Sequence, residues 1–243
     1  MAEALGPAAR SAELEKGLAA VRSRIFAATE ASGRTDQPTL IVVTKFHPAD
    51  DVRRLAALGV TDVGENRDQE ASAKSAALQD LGLNWHFVGQ LQSKKAKSVV
   101  RYAHAVHSVD RPQLVEGLAR AIVAEQDRSG RGPLRCFIQV SLDDDAGAHR
   151  GGAAPADVSL LGDTLAAADG LVLAGVMAVA PLGAPPEASF EKLAAISTRL
   201  IADHPAATGI SAGMSQDLEA AIRFGATHLR IGSDILGSRP AVG

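Results

Sequence analysis

Eight short apolar runs, each followed by a polar or helix-patterned stretch, restrict this chain more than any other feature. They fall at residues 40–44, 60–63, 85–88, 104–107, 134–140, 171–177, 207–211 and 227–231. Apolar residues recur at helical spacing over 49–58, 111–126, 187–202 and 215–224. Alternation of this kind builds right-handed βαβ units on a parallel sheet. Eight units in 243 residues fit a closed (β/α)8 barrel of the TIM type, with an open doubly wound sheet as the alternative. Before the first run, Leu14, Leu18, Val21, Ile25 and Phe26 stand at helical intervals within residues 11–32, and Gly33 follows as a stop. An extra N-terminal helix is therefore expected. Residues 1–10 are expected to be a flexible tail, leaving 11–243 as a single domain. The irregular stretches 143–155 and 180–186 follow strands, so they read as βα loops and not as linkers.

Composition narrows the class. Aromatic residues are only 3% of the chain, so Ala, Val, Leu and Ile must fill the core, as suits helices on a buried parallel sheet. A hydrophobic fraction of 46% with 22% charged residues argues against disorder. A net charge of −3 argues against a broadly basic nucleic-acid binder. The single cysteine, Cys136, excludes an internal disulfide and a cysteine-only metal cage. No apolar run approaches the roughly 20 residues that span a bilayer, and the N-terminus lacks an apolar signal core. A cytoplasmic protein without membrane or nucleic-acid partners is expected, acting as a monomer.

Barrel chemistry gathers at the C-terminal ends of the strands. There the sequence places Lys45, Asn66, Met177, Ser211, Met214, Ser215, Arg230, Gly232 and Ser233. Lys45 is the sharpest signal. If Ile41 and Val43 face the interior, strand alternation turns Lys45 inward as well. An amine in an apolar mouth loses hydration, and its neutral, nucleophilic form becomes more available. The plainer alternative is a strand-end lysine, solvated or paired with Glu65. The second signal is Ser211-Ala212-Gly213-Met214-Ser215 ahead of a helix, with Ser215 expected at the N-cap and Asp217 in the first turn. With Gly232 and Ser233 this loop suits a phosphate, although Asp234 would repel one. An amine and a phosphate cradle across one mouth call for a phosphorylated aldehyde, such as pyridoxal 5′-phosphate or a sugar-phosphate aldolase substrate.

Taken together, LIVVTKFHPADDVRRLAALGVTDVGENRDQE, WHFVGQLQSKKAKSVV, VHSVD, GVMAVAP and ISAGMSQDLEAAIRFGATHLRIGSDILGSR resemble the pyridoxal phosphate homeostasis protein family, over nearly the whole chain and in order. The resemblance implies the barrel of the alanine racemase N-terminal domain. It implies bound pyridoxal 5′-phosphate, no established catalytic turnover and a part in managing the cellular supply of vitamin B6, with apo-enzymes that require the cofactor as partners. By the same resemblance Lys45 is the Schiff-base lysine, and Asn66 and Met177 neighbour the cofactor. Ser211, Met214, Ser215, Gly232 and Ser233 form the phosphate cradle, and Arg230 faces the pyridine nitrogen. Two facing positive charges are unfavourable, so that arginine would keep the ring nitrogen unprotonated and weaken it as an electron sink. Arg67, Lys94 and Ala212 depart from the family pattern at the rim.

Two other functions compete. A pyridoxal phosphate-dependent amino-acid racemase of this fold needs an opposing acid–base residue, usually a tyrosine from a second domain. The only tyrosine, Tyr102, is expected before the fourth strand, toward the other end of the barrel, and no second domain is expected. A cofactor-free lysine aldolase is the third reading. Lys94, Lys95, Lys97 and Arg101 read as a solvated basic face. Asp143, Asp144 and Asp145 with His149 match no metal-site spacing. His104 and His107, three apart in a strand, should face opposite ways. Cys136 is expected in the core, and Trp85 and Phe87 on the outer face of the third strand.

Overall fold

In the computed structural model, residues 6–143, 151–181, 183 and 185–238 are described. Eight parallel strands close a barrel in sequence order: β1 (Thr39–Val43), β2 (Asp62–Glu65), β3 (Asn84–Phe87), β4 (Ala103–Val109), β5 (Leu134–Gln139), β6 (Leu171–Met177), β7 (Gly209–Ser211) and β8 (His228–Ile231). The last strand pairs with the first, Ile41 opposite Arg230. Around it run α1 (Pro7–Ala31), α2 (Ala49–Ala57), α3 (Asp68–Ala77), α4 (Ala96–Val99), α5 (Pro112–Ser129), α6 (Val158–Ala166), α7 (Pro186–Asp203), α8 (Leu218–Arg223) and α9 (Ser233–Leu236). The closed barrel is the architecture expected from the eightfold alternation. No helix among the described residues is long and apolar enough to cross a membrane.

The main core lies between the strands and the helix ring. In α7, Phe190, Leu193, Ile196 and Leu200 repeat every three to four residues and are all buried. Each such side chain contributes roughly 1.5–3 kcal/mol through removal from water. Trp85 and Phe87 belong to this outer layer, and Cys136 is fully buried, its thiol pushed up to about 12 by that burial. The barrel interior is different. Its apolar part is the small cluster Ala105, Phe137, Ala174 and Met177. Gly175 and Gly209 let β6 and β7 approach closely, since a Cβ on Gly175 would stand 1.9 Å from the Gly209 carbonyl oxygen. The rest of the interior is polar, with His86, His107 and Arg230 all buried.

Several elements differ from the sequence expectation. Helix α1 starts at Pro7, so residues 7–10 belong to it, and Arg10 bonds Asp51 of α2 at 2.8 Å. Proline at the first helical position sets φ without losing a needed donor. Phe26 is 51% exposed and lies off the buried stripe of Leu14, Leu18, Val21 and Ile25. Helix α3 escaped detection because it buries only Ala71 and Lys74 and carries no apolar stripe. His104 and His107 do not point apart: the β3–β4 register shifts between Trp85 and His86, and both rings lie against His86, at centroid separations of 5.6 and 5.1 Å. Asp144, Asp145 and His149 lie outside the described residues, among which no cluster of three metal-ligating side chains occurs.

Candidate functional site

A cavity of about 670 Å³ opens at the C-terminal end of the barrel. Val43 and Lys45 both line it, so β1 alternates as its sequence requires and delivers the lysine to the mouth. The chain turns sharply just after. Phe46 adopts φ 69°, a left-handed conformation that costs a non-glycine residue on the order of 1–3 kcal/mol. Two contacts hold it there. The Phe46 amide donates to Glu70 Oε1 at 2.6 Å, and the Arg67 guanidinium lies over the Phe46 ring at 4.9 Å. Arg67, a departure from the family pattern, thus braces the turn that carries Lys45.

Beneath that turn sits a buried ionic cluster that the sequence reading did not find. Lys74 of α3 donates to Glu65 Oε1 at 2.7 Å, to Glu70 Oε1 at 2.6 Å and to the Thr44 carbonyl at 2.8 Å. The Thr44 hydroxyl donates to Glu65 Oε1 at 2.6 Å. Burial raises the Glu65 carboxyl, against the lowering bonds from Lys74 and Thr44. Glu65, considered above as a partner for Lys45, is therefore held by Lys74.

The far wall comes from β7 and β8. Met214, Ser215, Gly232 and Ser233 line the cavity, and the Ser215 and Ser233 hydroxyls are 3.2 Å apart. Gly213 makes this loop possible: its φ is 92°, and a Cβ would stand 2.7 Å from that of Ala221. The N-cap of α8 is Asp217 and not Ser215. Asp217 Oδ1 accepts the Met214 amide at 2.6 Å, which occupies that backbone donor and frees the Ser215 side chain for the cavity. Arg24 of α1 answers the repulsion expected from Asp234. It donates to Asp234 at 2.8 Å, to Glu219 at 2.8 Å and to the Ser215 carbonyl at 2.9 Å.

Arg230 closes the floor. It is 6% exposed, and burial lowers it to about 10, so it stays charged at neutral pH. Its Nη1 donates to the Ser211 carbonyl at 2.7 Å and to Ser211 Oγ at 2.6 Å, and Nη2 donates to the Ala178 carbonyl at 2.9 Å. Ser211 itself is fully buried below the cavity and not part of its lining, so its hydroxyl serves Arg230 and not the rim. Asn66 and Met177 complete the walls, and Asn66 Oδ1 is buried without a partner among the described residues. Gly89, which packs on the Asn66 backbone, and His47, buried two residues after Lys45, also line the cavity and were not singled out from sequence. Tyr102 lies outside it, its hydroxyl 3.4 Å from Asp68 Oδ1.

The profile of the alanine racemase N-terminal domain matches residues 17–240. The pyridoxal phosphate homeostasis protein of Mycobacterium bovis is 44% identical over 95% of this chain and 94% of its own length. The protein of that name from Escherichia coli is 33% identical over 93% of this chain and 97% of its own. The structure of PipY from Synechococcus elongatus with pyridoxal phosphate bound shares 35% identity and a TM-score of 0.79, covering 92% of this chain and all of that one. Alanine racemase of Streptomyces coelicolor has the same fold at 20% identity and a TM-score of 0.75, and the match covers 59% of that larger chain.

Proposed function

This chain belongs to the pyridoxal phosphate homeostasis protein family, and we propose that it holds pyridoxal 5′-phosphate reversibly, with Lys45 as the covalent anchor and without turning over amino acids. One observation carries the reading: Lys45, Arg230 and the Ser215–Ser233 hydroxyl pair line a single cavity of suitable size. The residues present fit the cofactor. When bound, it supplies an aldehyde for a Schiff base, a phosphate and a pyridine nitrogen. Lys45 would hold the cofactor through its amine nitrogen. Ser215 and Ser233 donate to the phosphate, with Gly232 admitting it closely. Arg230, which lines the same cavity, would turn its remaining N–H edge to the ring nitrogen. Asn66 offers its unpartnered Oδ1 to a donor on the bound molecule.

Holding is favoured over racemisation by the placement of Tyr102 at Asp68 and outside the cavity. General acid–base assistance is worth about 10²–10⁴-fold, and no tyrosine stands ready to supply it there. Release to apo-enzymes completes the homeostatic role. The test is a visible spectrum of the purified protein before and after borohydride, with mapping of the modified lysine. Label on Lys45, and loss of the visible band in a folded Lys45→Ala variant, are expected. Label on Lys94 or Lys95 would overturn the anchor. Sustained racemisation or decarboxylation that Lys45→Ala abolishes would overturn the holding role.

A further inference from the structure

Arg230 is a buried cation whose guanidinium donates to neutral oxygens, those of Ser211 and Ala178, with Asp217 as the carboxylate whose charge acts on it. Its hydrogen bonds continue downward, through the barrel interior. Ser211 Oγ is 2.9 Å from His107 Nδ1, His107 Nε2 is 2.9 Å from His86 Nδ1, and His86 Nε2 is 2.9 Å from Asp62 Oδ1. Asp62 opens β2 and Arg230 stands near the end of β8, so the series runs from the N-terminal end of the barrel to the floor of the cavity.

With both rings neutral, the two ends fix the direction of every proton between them. A guanidinium only donates and a carboxylate only accepts. Arg230 fills one acceptor site of Ser211 Oγ, so the serine proton is free to point to His107 Nδ1. His107 then carries its proton on Nε2 and donates to His86 Nδ1. His86 carries its proton on Nε2 and donates to Asp62. Reversal would turn a bare imidazole nitrogen toward the Asp62 carboxylate and leave the serine proton without an acceptor. Phe137 stacks on His107 with centroids 4.3 Å apart and planes 14° from parallel, which leaves that ring only its in-plane nitrogens for bonding. Thr61 and Asn84 also donate to Asp62, at 2.7 and 3.2 Å, and hold it as the terminal acceptor.

We infer that His107 and His86 are positioning residues for Arg230, joined with Ser211 in a hydrogen-bond chain that ends on Asp62 and holds the guanidinium with its unused edge toward the cavity. The consequence for a bound ring nitrogen rests on the function proposed above; the chain itself does not.

The experiment therefore has two arms. The first is long-range proton–nitrogen correlation on the full-length apo-protein with histidine labelled in ¹⁵N, at pH 7.5. His86 and His107 should both be neutral with the proton on Nε2. A proton on Nδ1, or an imidazolium, at either residue overturns the inference, and this arm needs no ligand and no variant. The second arm titrates pyridoxal phosphate into the parent and into Asp62→Asn, which keeps an acceptor oxygen and removes the charge. At least threefold weaker binding with a shifted visible band is expected, although residue 62 touches no part of the cavity. A smaller change overturns the coupling to the site. A parent protein that binds no pyridoxal phosphate would sink the proposed function, and the first arm would still decide the chain.

Discussion

Lys74 does at residue level what the sequence reading had weighed for Lys45. It neutralises Glu65 and ties α3 to the strand end before Lys45. Breaking a buried ion pair by deleting one partner leaves the other charge uncompensated, at a cost of about 3–5 kcal/mol. Lys74→Met should lower stability by that order in urea denaturation. The double variant Lys74→Met, Glu65→Gln should recover part of the loss, because the stranded carboxylate is then removed. Equal losses in the two variants would show that the Lys74 alkyl chain matters and its charge does not. The place of Lys45 at the barrel mouth was legible in the sequence because it follows an apolar strand by two residues. Lys74 was not, since nothing in DQEASAKSAA marks one lysine as buried; only the fold brings α3 over the end of β1.

At the scale of elements, the helix before the barrel supports the cavity wall that carries Ser215 and Ser233. Helix α1 packs on α8 and α9, and its Arg24 reaches Asp234, Glu219 and the Ser215 carbonyl. The apolar spacing of α1 was readable, but its polar task was not, because the partners lie about 190 residues downstream. Removing this cation should expose the cavity to the Asp234 carboxylate. Arg24→Gln is expected to weaken pyridoxal phosphate binding about threefold to tenfold, equivalent to roughly 0.6–1.4 kcal/mol, while leaving pyridoxal without phosphate nearly unaffected. An equal effect on both ligands would locate the role of Arg24 in folding alone. The loop it supports has little slack. Gly213→Ala places a Cβ against Ala221 at a positive φ, and a loss of about 1–3 kcal/mol in thermal or urea unfolding is expected together with weaker phosphate binding. The start of α8 was misread for a related reason. Ser215 and Asp217 both suit an N-cap, and the tie is broken by the Met214 amide, which Asp217 captures at 2.6 Å.

Across the whole molecule, hydrophobic periodicity revealed the eight strands and the main helices because the helix-facing core is apolar and regular. The barrel interior left a fainter trace. Alternation in WHF and HLRI does turn His86, His228 and Arg230 away from the helix layer, but the irregular register of β4 hides the matching position of His107. That interior has a consequence for acid stability. Burial is the largest cause lowering His47, His104, His107 and His228, the last to about 4. An unfolded histidine titrates near 6.5, so between pH 6.5 and 4 the unfolded chain binds more protons than the folded one. Stability is then fully present above pH 6.5 and declines as pH falls, by up to about 1.4 kcal/mol per pH unit for each such histidine. Asp62 extends the decline only at lower pH. Burial raises its carboxyl, but bonds from His86, Thr61 and Asn84 outweigh that and bring it to about 2, so its contribution is lost between pH 4 and 2. Urea midpoints measured at pH 7.5, 6.0 and 5.0 should fall in that order. His228→Gln, which keeps a polar side chain and cannot take up a proton, should fall less steeply than the parent over the same range. A parent midpoint at pH 5.0 equal to that at pH 7.5 would mean that the interior histidines take up protons without disturbing the barrel.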